Sequence, residues 1–363
     1  MPTFPCASAS DSPAEPGRPL INLSGYWGRL PTLSCEEPSR TVSIDATAPP
    51  NCFPALGFHM PSTPPSSINN WWCAYNTEYG FVGFSYEVTA CQSASKLKTD
   101  FLKIRQTFKG RYIRMYGFCD RTGERYYKIS ADRLNDIVEA AWNAGIGVHA
   151  LIWFGFDGTD EWKGRRDALF GILHSNPKAK FVTRVLQFGS EPLFDGVLDP
   201  TVLAAQVTAA KANLSSLHIP VTISEMAYGY QEREADGAQD ILNAIDLIDA
   251  HMLPFFSTRA STASESWPIV LTDLDWFVNN GQGKKIYLSE NGWPSVTSEG
   301  VQPNSPLADY YLVLDAHCSY FKTVPGGGVG WFWHIYTDDM EPGYGLYDTS
   351  GNLKFPFSPK TTC

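Results

Sequence analysis

The chain has 363 residues and a formal net charge of −10, with 43% hydrophobic and 18% charged residues. That apolar content supports a full core and excludes wholesale disorder, and an acidic chain lacks the basic surface that a nucleic-acid partner requires. No apolar run approaches the roughly 18 to 20 residues of a membrane span.

The N-terminal part is distinct. Thirteen of the 26 prolines fall within the first 66 residues, and four of the eight cysteines lie before position 75. Proline removes a backbone donor, so this region is neither regular helix nor central strand. Residues 1–78 are therefore expected to form an irregular extension packed on the body and stapled to it by disulfides. The cysteines are Cys6, Cys35, Cys52, Cys73, Cys91, Cys119, Cys318 and Cys363. None forms a C-x-x-C pair or sits near a His at zinc-site spacing. An even, scattered set predicts up to four disulfides in an oxidising compartment, of undetermined pairing, and neither metal nor cofactor is expected. N-x-S sequons at Asn22 and Asn213 point the same way. The opening MPTFPCASAS shows no charged segment followed by an apolar one, so the chain reads as a mature form. A secreted or cell-wall location and a monomeric state are expected.

From residue 79 to 363 short apolar runs alternate with amphipathic stretches. Strands are predicted at 80–88, 111–117, 147–154, 184–191, 220–225, 247–253, 284–290 and 328–336. Helical spacing lies between them: Leu97, Phe101, Ile104, Phe108; then Leu134, Ile137, Val138, Ala141; then Leu203, Val207, Ala210, Leu214, Leu217. The last helix is short or absent. Strands apolar on both faces and separated by helices indicate a parallel sheet, and eight such units suit an α/β (β/α)8 TIM barrel. A doubly wound open sheet is the alternative, but no G-x-G-x-x-G turn follows an early strand.

In such a barrel chemistry sits at the C-terminal ends of the strands. The fourth strand closes in QFGSEP around Glu191, and the seventh in YLSENGWPS around Glu290. One strand-end glutamate is readily a loop ion pair. Two on facing strands suit glycosidic cleavage, one as acid and the other as nucleophile, with retention at a separation of about 5 to 5.5 Å. Their proximity also raises one carboxyl's pKa.

These residues carry a resemblance. ENGWPS at 290–295 resembles the E-T-G-W-P-S signature around the nucleophile of glycoside hydrolase family 17. FGSEPLF at 188–194 is similar to that family's acid/base segment, IRMYGFCD at 113–120 to I-R-L-Y-G-T-D-C, and AHMLPFF at 250–256 to H-I-L-P-Y-W. The C-terminal WFWHIYTDDMEP and YGLYDTSGNLKF resemble further segments in the same order. The resemblance implies a retaining enzyme acting on β-glucan, most simply β-1,3-glucan, with Glu290 as nucleophile, Glu191 as acid/base and Tyr116 beside the nucleophile. Ser190 stands where that family usually has Asn, and His334 where many members have Glu.

Further substrate contacts are expected from Ser190, Glu225, His251, Trp153, Trp293 and one of the pair Trp331 and Trp333, whose rings suit sugar faces. Glu225 and His251 are weighed evenly against structural roles. Tyr228, Phe256 and Tyr344 are candidate cleft walls, and Asp338, Asp339 and Glu341 read as a solvated loop face rather than a calcium site. The partner is a polysaccharide or oligosaccharide. Alternatives are a β-1,3-glucanosyltransferase, a glycosidase for another β-linkage, and a non-catalytic glucan-binding protein on this scaffold.

Overall fold

The computed structural model describes residues 51–88, 92–116, 131–155, 158–257, 262–296 and 306–363. Asn22, Cys6, Cys35, Cys91 and Cys119 lie outside them. Eight parallel strands close into a barrel in sequence order: β1 Gly80–Glu87, β2 Tyr112–Tyr116, β3 Gly147–Ile152, β4 Thr183–Ser190, β5 Val221–Glu225, β6 Ile248–Met252, β7 Ile286–Asn291 and β8 Val329–Trp333. The expected (β/α)8 fold is thus observed, and closure excludes the open sheet.

Period-two alternation sorts each strand. One set of side chains faces the lumen, where Val82, Tyr112, Val185, Leu247, Tyr287 and Phe332 form an inner apolar layer. The other set packs under the surrounding helices, which include Ala94–Thr107, Ala131–Ala144, Glu161–Ser175, Pro200–Leu214 and Trp267–Asn280. Local chemistry starts two of these helices. Ser93 caps the first by accepting from the Lys96 N–H at 3.2 Å, and Asp199 caps Pro200–Leu214 with proline in its first turn.

No helix follows β8. A C-terminal tail covers the outside of β8 and β1 instead: Phe357 packs against Phe81, Phe84 and Trp333, and the Phe81 N–H donates to the Lys360 carbonyl. The Cys318–Cys363 disulfide anchors this tail.

Residues 51–78 pack beneath the barrel, with Cys52–Cys73 bridging them internally. Phe53 is fully buried, the Trp71 indole donates to the Phe181 carbonyl, and Arg184 donates to the Cys73 carbonyl. The segment ends on Glu78, which is 0% exposed at the N-terminal mouth of the lumen. Arg184 and Arg111 pair with its carboxylate at 3.2 and 3.5 Å, and the Tyr112 and Tyr287 hydroxyls donate to it. Burial opposes this charge, but the two guanidiniums and two phenols hold the Glu78 carboxyl below its ordinary range.

Candidate active site

At the other mouth the lumen is polar. β2 contributes Arg114 and Tyr116, two residues apart and so on the same face as Tyr112. β5 contributes Ser224, β6 contributes His251, and His334 continues the inward row of Phe332 just after β8.

The two carboxylates follow bulges. Between β4 and β5, Gln187 to Ser190 spans three residues against the two from Thr222 to Ser224. Gly189 sits in this bulge at φ +101°, where a Cβ would stand 2.6 Å from the Phe154 ring. Between β6 and β7, His251 pairs with Glu290 where unbroken register would give Ser289. A bulge re-aims the side chains beyond it. Here it brings both Ser289 and Glu290 into the lumen, and turns Ser190 and Glu191 toward them.

Glu191, His251 and Glu290 present oxygen and nitrogen atoms that all lie within 4.8 Å of one another. Their donor types suit a cation, yet both histidine nitrogens are already engaged. Nδ1 lies 2.7 Å from Glu191 Oε1 and Nε2 lies 2.6 Å from Ser224 Oγ. The Arg114 guanidinium, which can only donate, stands 3.4 Å from Nε2, so Nε2 is assigned as acceptor and Nδ1–H as the donor to Glu191. Burial pulls the His251 pKa down to about 4, so the ring is neutral.

Arg114 links the two halves of the site. Its Nη1 lies 3.5 Å from Glu290 Oε2, its Nη2 donates to Ser190 and Ser224 at 2.9 and 3.1 Å, and its Nε donates to Gln187 at 2.9 Å. The Tyr116 hydroxyl donates to Glu290 Oε2 and stands 3.2 Å from His334 Nδ1. Burial holds the phenol's pKa well above its ordinary value, so the proton stays on Tyr116. Burial also raises the Glu191 carboxyl, against Arg114 and His334 and with help from Glu341.

Of the sequence candidates, the structure brings together Glu191, Glu290, Tyr116, Ser190 and His251. It moves three others elsewhere. Glu225 alternates with Ser224 and so faces away from the lumen. It is 1% exposed and accepts from the backbone N–H groups of Leu193, Phe194 and Met226 at 2.7, 3.2 and 2.9 Å. It thereby clamps the turn after Glu191 rather than contacting sugar. Burial outweighs those donors and raises its pKa to about 8. Trp333 and Trp331 share the outward face of β8; Trp333 is 0% exposed against Phe355 and Phe357, and Trp331 packs on Phe81. Neither reaches the cleft, because the lumen face belongs to Phe332 and His334. Trp293 is 1% exposed and packs on Phe255 and Tyr310 behind the site. Trp153 stands half-buried beyond β3, with the Arg165 guanidinium 5.1 Å from its ring centroid.

The acidic run after β8 is a built loop rather than a solvated face. Asp338 accepts from the N–H groups of Gly343 and Gly345 and pairs with Lys354, while Glu341 pairs with His334 at 2.9 Å. Exposed aromatics follow β4, β5 and β6: Phe194 at 49%, Tyr228 at 50% and Phe256 at 68%. The Phe194 and Tyr228 rings lie 6.2 Å apart. Sequence reading missed Arg114, Gln187, Ser224, Ser289 and Phe194. Arg114 had a signal, a lone charge inside the apolar run YIRMY.

The sequence model of the BtgE/BtgC glycoside hydrolase domain matches residues 82–339. Among solved structures the chain is similar to the β-1,3-glucanosyltransferase of Rhizomucor miehei, at 19% identity and TM-score 0.58 over 77% of this chain and 97% of that one. It is similar to an endo-laminarinase from Formosa Hel1_33_131, at 14% identity and TM-score 0.57 over 75% and 84%. It is also similar to the exo-β-1,4-mannosidase Op5Man5 from Opitutaceae bacterium strain TAV5, at 11% and 0.52 over 76% and 57%. At these identities the likeness establishes the barrel alone. No curated protein matches the chain.

Proposed function

The chain belongs to the BtgE/BtgC glycoside hydrolase domain family and is a glycoside hydrolase; we propose that it cleaves β-glucan with retention, Glu290 as nucleophile and Glu191 as acid/base. One observation carries this reading: a carboxylate oxygen of each lies within 4.8 Å of the other at the C-terminal mouth of the barrel. Retaining pairs stand about 5 to 5.5 Å apart, whereas inverting pairs leave about 6.5 to 9.5 Å for a water.

The surroundings divide the labour. Arg114 and Tyr116 direct positive charge and a hydroxyl at Glu290 Oε2, which engages that oxygen and leaves Oε1 to attack the anomeric carbon. Burial raises the Glu191 carboxyl, which favours the proton-bearing form that the acid role needs. Neutral His251 binds Oε1 of that carboxyl, leaving Oε2 to hand the proton to the leaving oxygen. Water then enters against the glycosyl-enzyme, with Glu191 as base.

For substrate, the ENGWPS signature and the activities of two proteins of similar fold, a β-1,3-glucanosyltransferase and a laminarinase, favour β-1,3-glucan. The exposed Phe194 and Tyr228 rings beside the Glu191 turn favour a second reading, transfer of the glycosyl group to another sugar. Such rings can seat an acceptor in place of water.

Product release from β-1,3-, β-1,3/1,4-, β-1,6- and β-1,4-glucans, compared between wild type and Glu290→Gln, tests the assignment. Cleavage of β-1,3-glucan with a dead variant is expected, and products longer than the substrate signal transfer. Turnover by Glu290→Gln removes the nucleophile assignment. Glu191→Gln is expected to lose far more rate on glucan than on activated aryl glycosides, which need little acid help.

A further inference from the structure

The Tyr116 hydroxyl has one hydrogen, directed at Glu290, and its oxygen also faces His334 Nδ1 at 3.2 Å. A neutral ring with a bare Nδ1 would set lone pair against lone pair there. The other nitrogen, Nε2, lies 2.9 Å from Glu341 Oε2, an acceptor when ionised. Hydrogen accounting therefore requires a proton on both ring nitrogens. We propose that His334 is held as an imidazolium by Glu341 and, acting through Tyr116, is a positioning residue that fixes the nucleophile Glu290 with Oε1 free to attack.

The proposal rests on the reading of Glu290 as the nucleophile. His334 is 1% exposed, so its charge stands in poorly solvated surroundings where it acts strongly. Among the described residues, charged or titratable groups from four strands and the segment after β8 act on it. β2 presents Arg114 and Tyr116, β4 leads to Glu191, β6 carries His251, and β7 carries Glu290. The segment after β8 supplies Glu341 and Tyr344, the latter with its ring 5.2 Å from the imidazole. Burial and Arg114 disfavour the cation, but Glu341 and Glu290 outweigh them and raise its pKa. Glu341 correspondingly falls below its ordinary value despite burial, by its contact with His334. The pair thus places a cation one hydroxyl away from the nucleophile, and it is present only below the pH at which His334 deprotonates.

The test compares wild type, Glu341→Gln and Glu341→Asp, with the His334 ring signal in nitrogen-15 NMR assigned by its loss in His334→Asn. At pH 7 the wild-type ring is expected to show two protonated nitrogens and the Glu341→Gln ring one. The alkaline limb of kcat on soluble β-1,3-glucan is expected about one pH unit lower in Glu341→Gln, with Glu341→Asp restoring the wild-type profile. A neutral wild-type ring at pH 7, or a Glu341→Gln profile superposed on wild type, overturns the proposal. The NMR readout needs no substrate. An imidazolium found alongside an active Glu290→Gln enzyme would therefore fault the nucleophile assignment and not the charge state.

Discussion

The guanidinium of Arg114 contacts both halves of the carboxylate machinery at once. Its planar fork reaches Ser190 and Ser224 on one side and Glu290 on the other, while its carbon centre lies 3.7 Å from the centroid of the Tyr116 ring. A lysine keeps the charge but has neither the fork nor the stacking plane. Arg114→Lys is expected to lower kcat/KM on the order of 10- to 100-fold, the cost of about one charge-assisted hydrogen bond. Steady-state kinetics on β-1,3-glucan checks this, and a change below twofold would show that charge alone suffices. Lone charges inside apolar strands are legible in sequence as anomalies. The partners of Arg114, which come from β4, β5 and β7, are not.

At the scale of elements, the turn after β4 and the short helix Ala227–Glu232 act as one unit, joined by Glu225. Gly229 packs against that carboxylate so closely that a Cβ would stand 2.4 Å from its Oε1. Gly229→Ala is expected to displace Glu225 and strand the Leu193 and Phe194 N–H groups, costing about 1 to 3 kcal/mol in urea unfolding. Because the displaced turn carries Glu191, the variant should lose more rate on glucan than on activated aryl glycosides. Equal losses would show that Glu225 supports stability without placing the acid. The sequence places Glu225 at a strand end as plainly as Glu191 and Glu290. Alternation and the bulges decide that the first faces the helices and the other two the lumen.

For the whole molecule, the barrel is closed below by Glu78 and its guanidinium and phenol partners, far along the lumen from the catalytic mouth. Its carboxyl is lowered from an ordinary value of 4.5, so its contribution is present above that value and is lost as pH falls through the folded one. Glu78→Gln is expected to cost about 3 to 5 kcal/mol at pH 7, leaving two buried guanidiniums short of a counter-charge. The gap to wild type should narrow progressively below about pH 4.5. Urea titrations at pH 7 and pH 3.5 check this, and a gap independent of pH would show that packing rather than charge is lost.

Sequence by itself determined the order and kind of the elements, the strand-end position of both glutamates, and that a last helix would be short or absent. All three come from local periodicity and composition, which every stretch of chain carries alone. Only the tertiary structure decided which strand-end groups share the lumen. That choice turned on a bulge in β4 and another in β7, each a one-residue slip that reverses the facing of the side chains beyond it. Alternation along β8 makes Trp333 core and brings in His334, and alternation along β5 brings in Ser224 while Glu225 faces the helices.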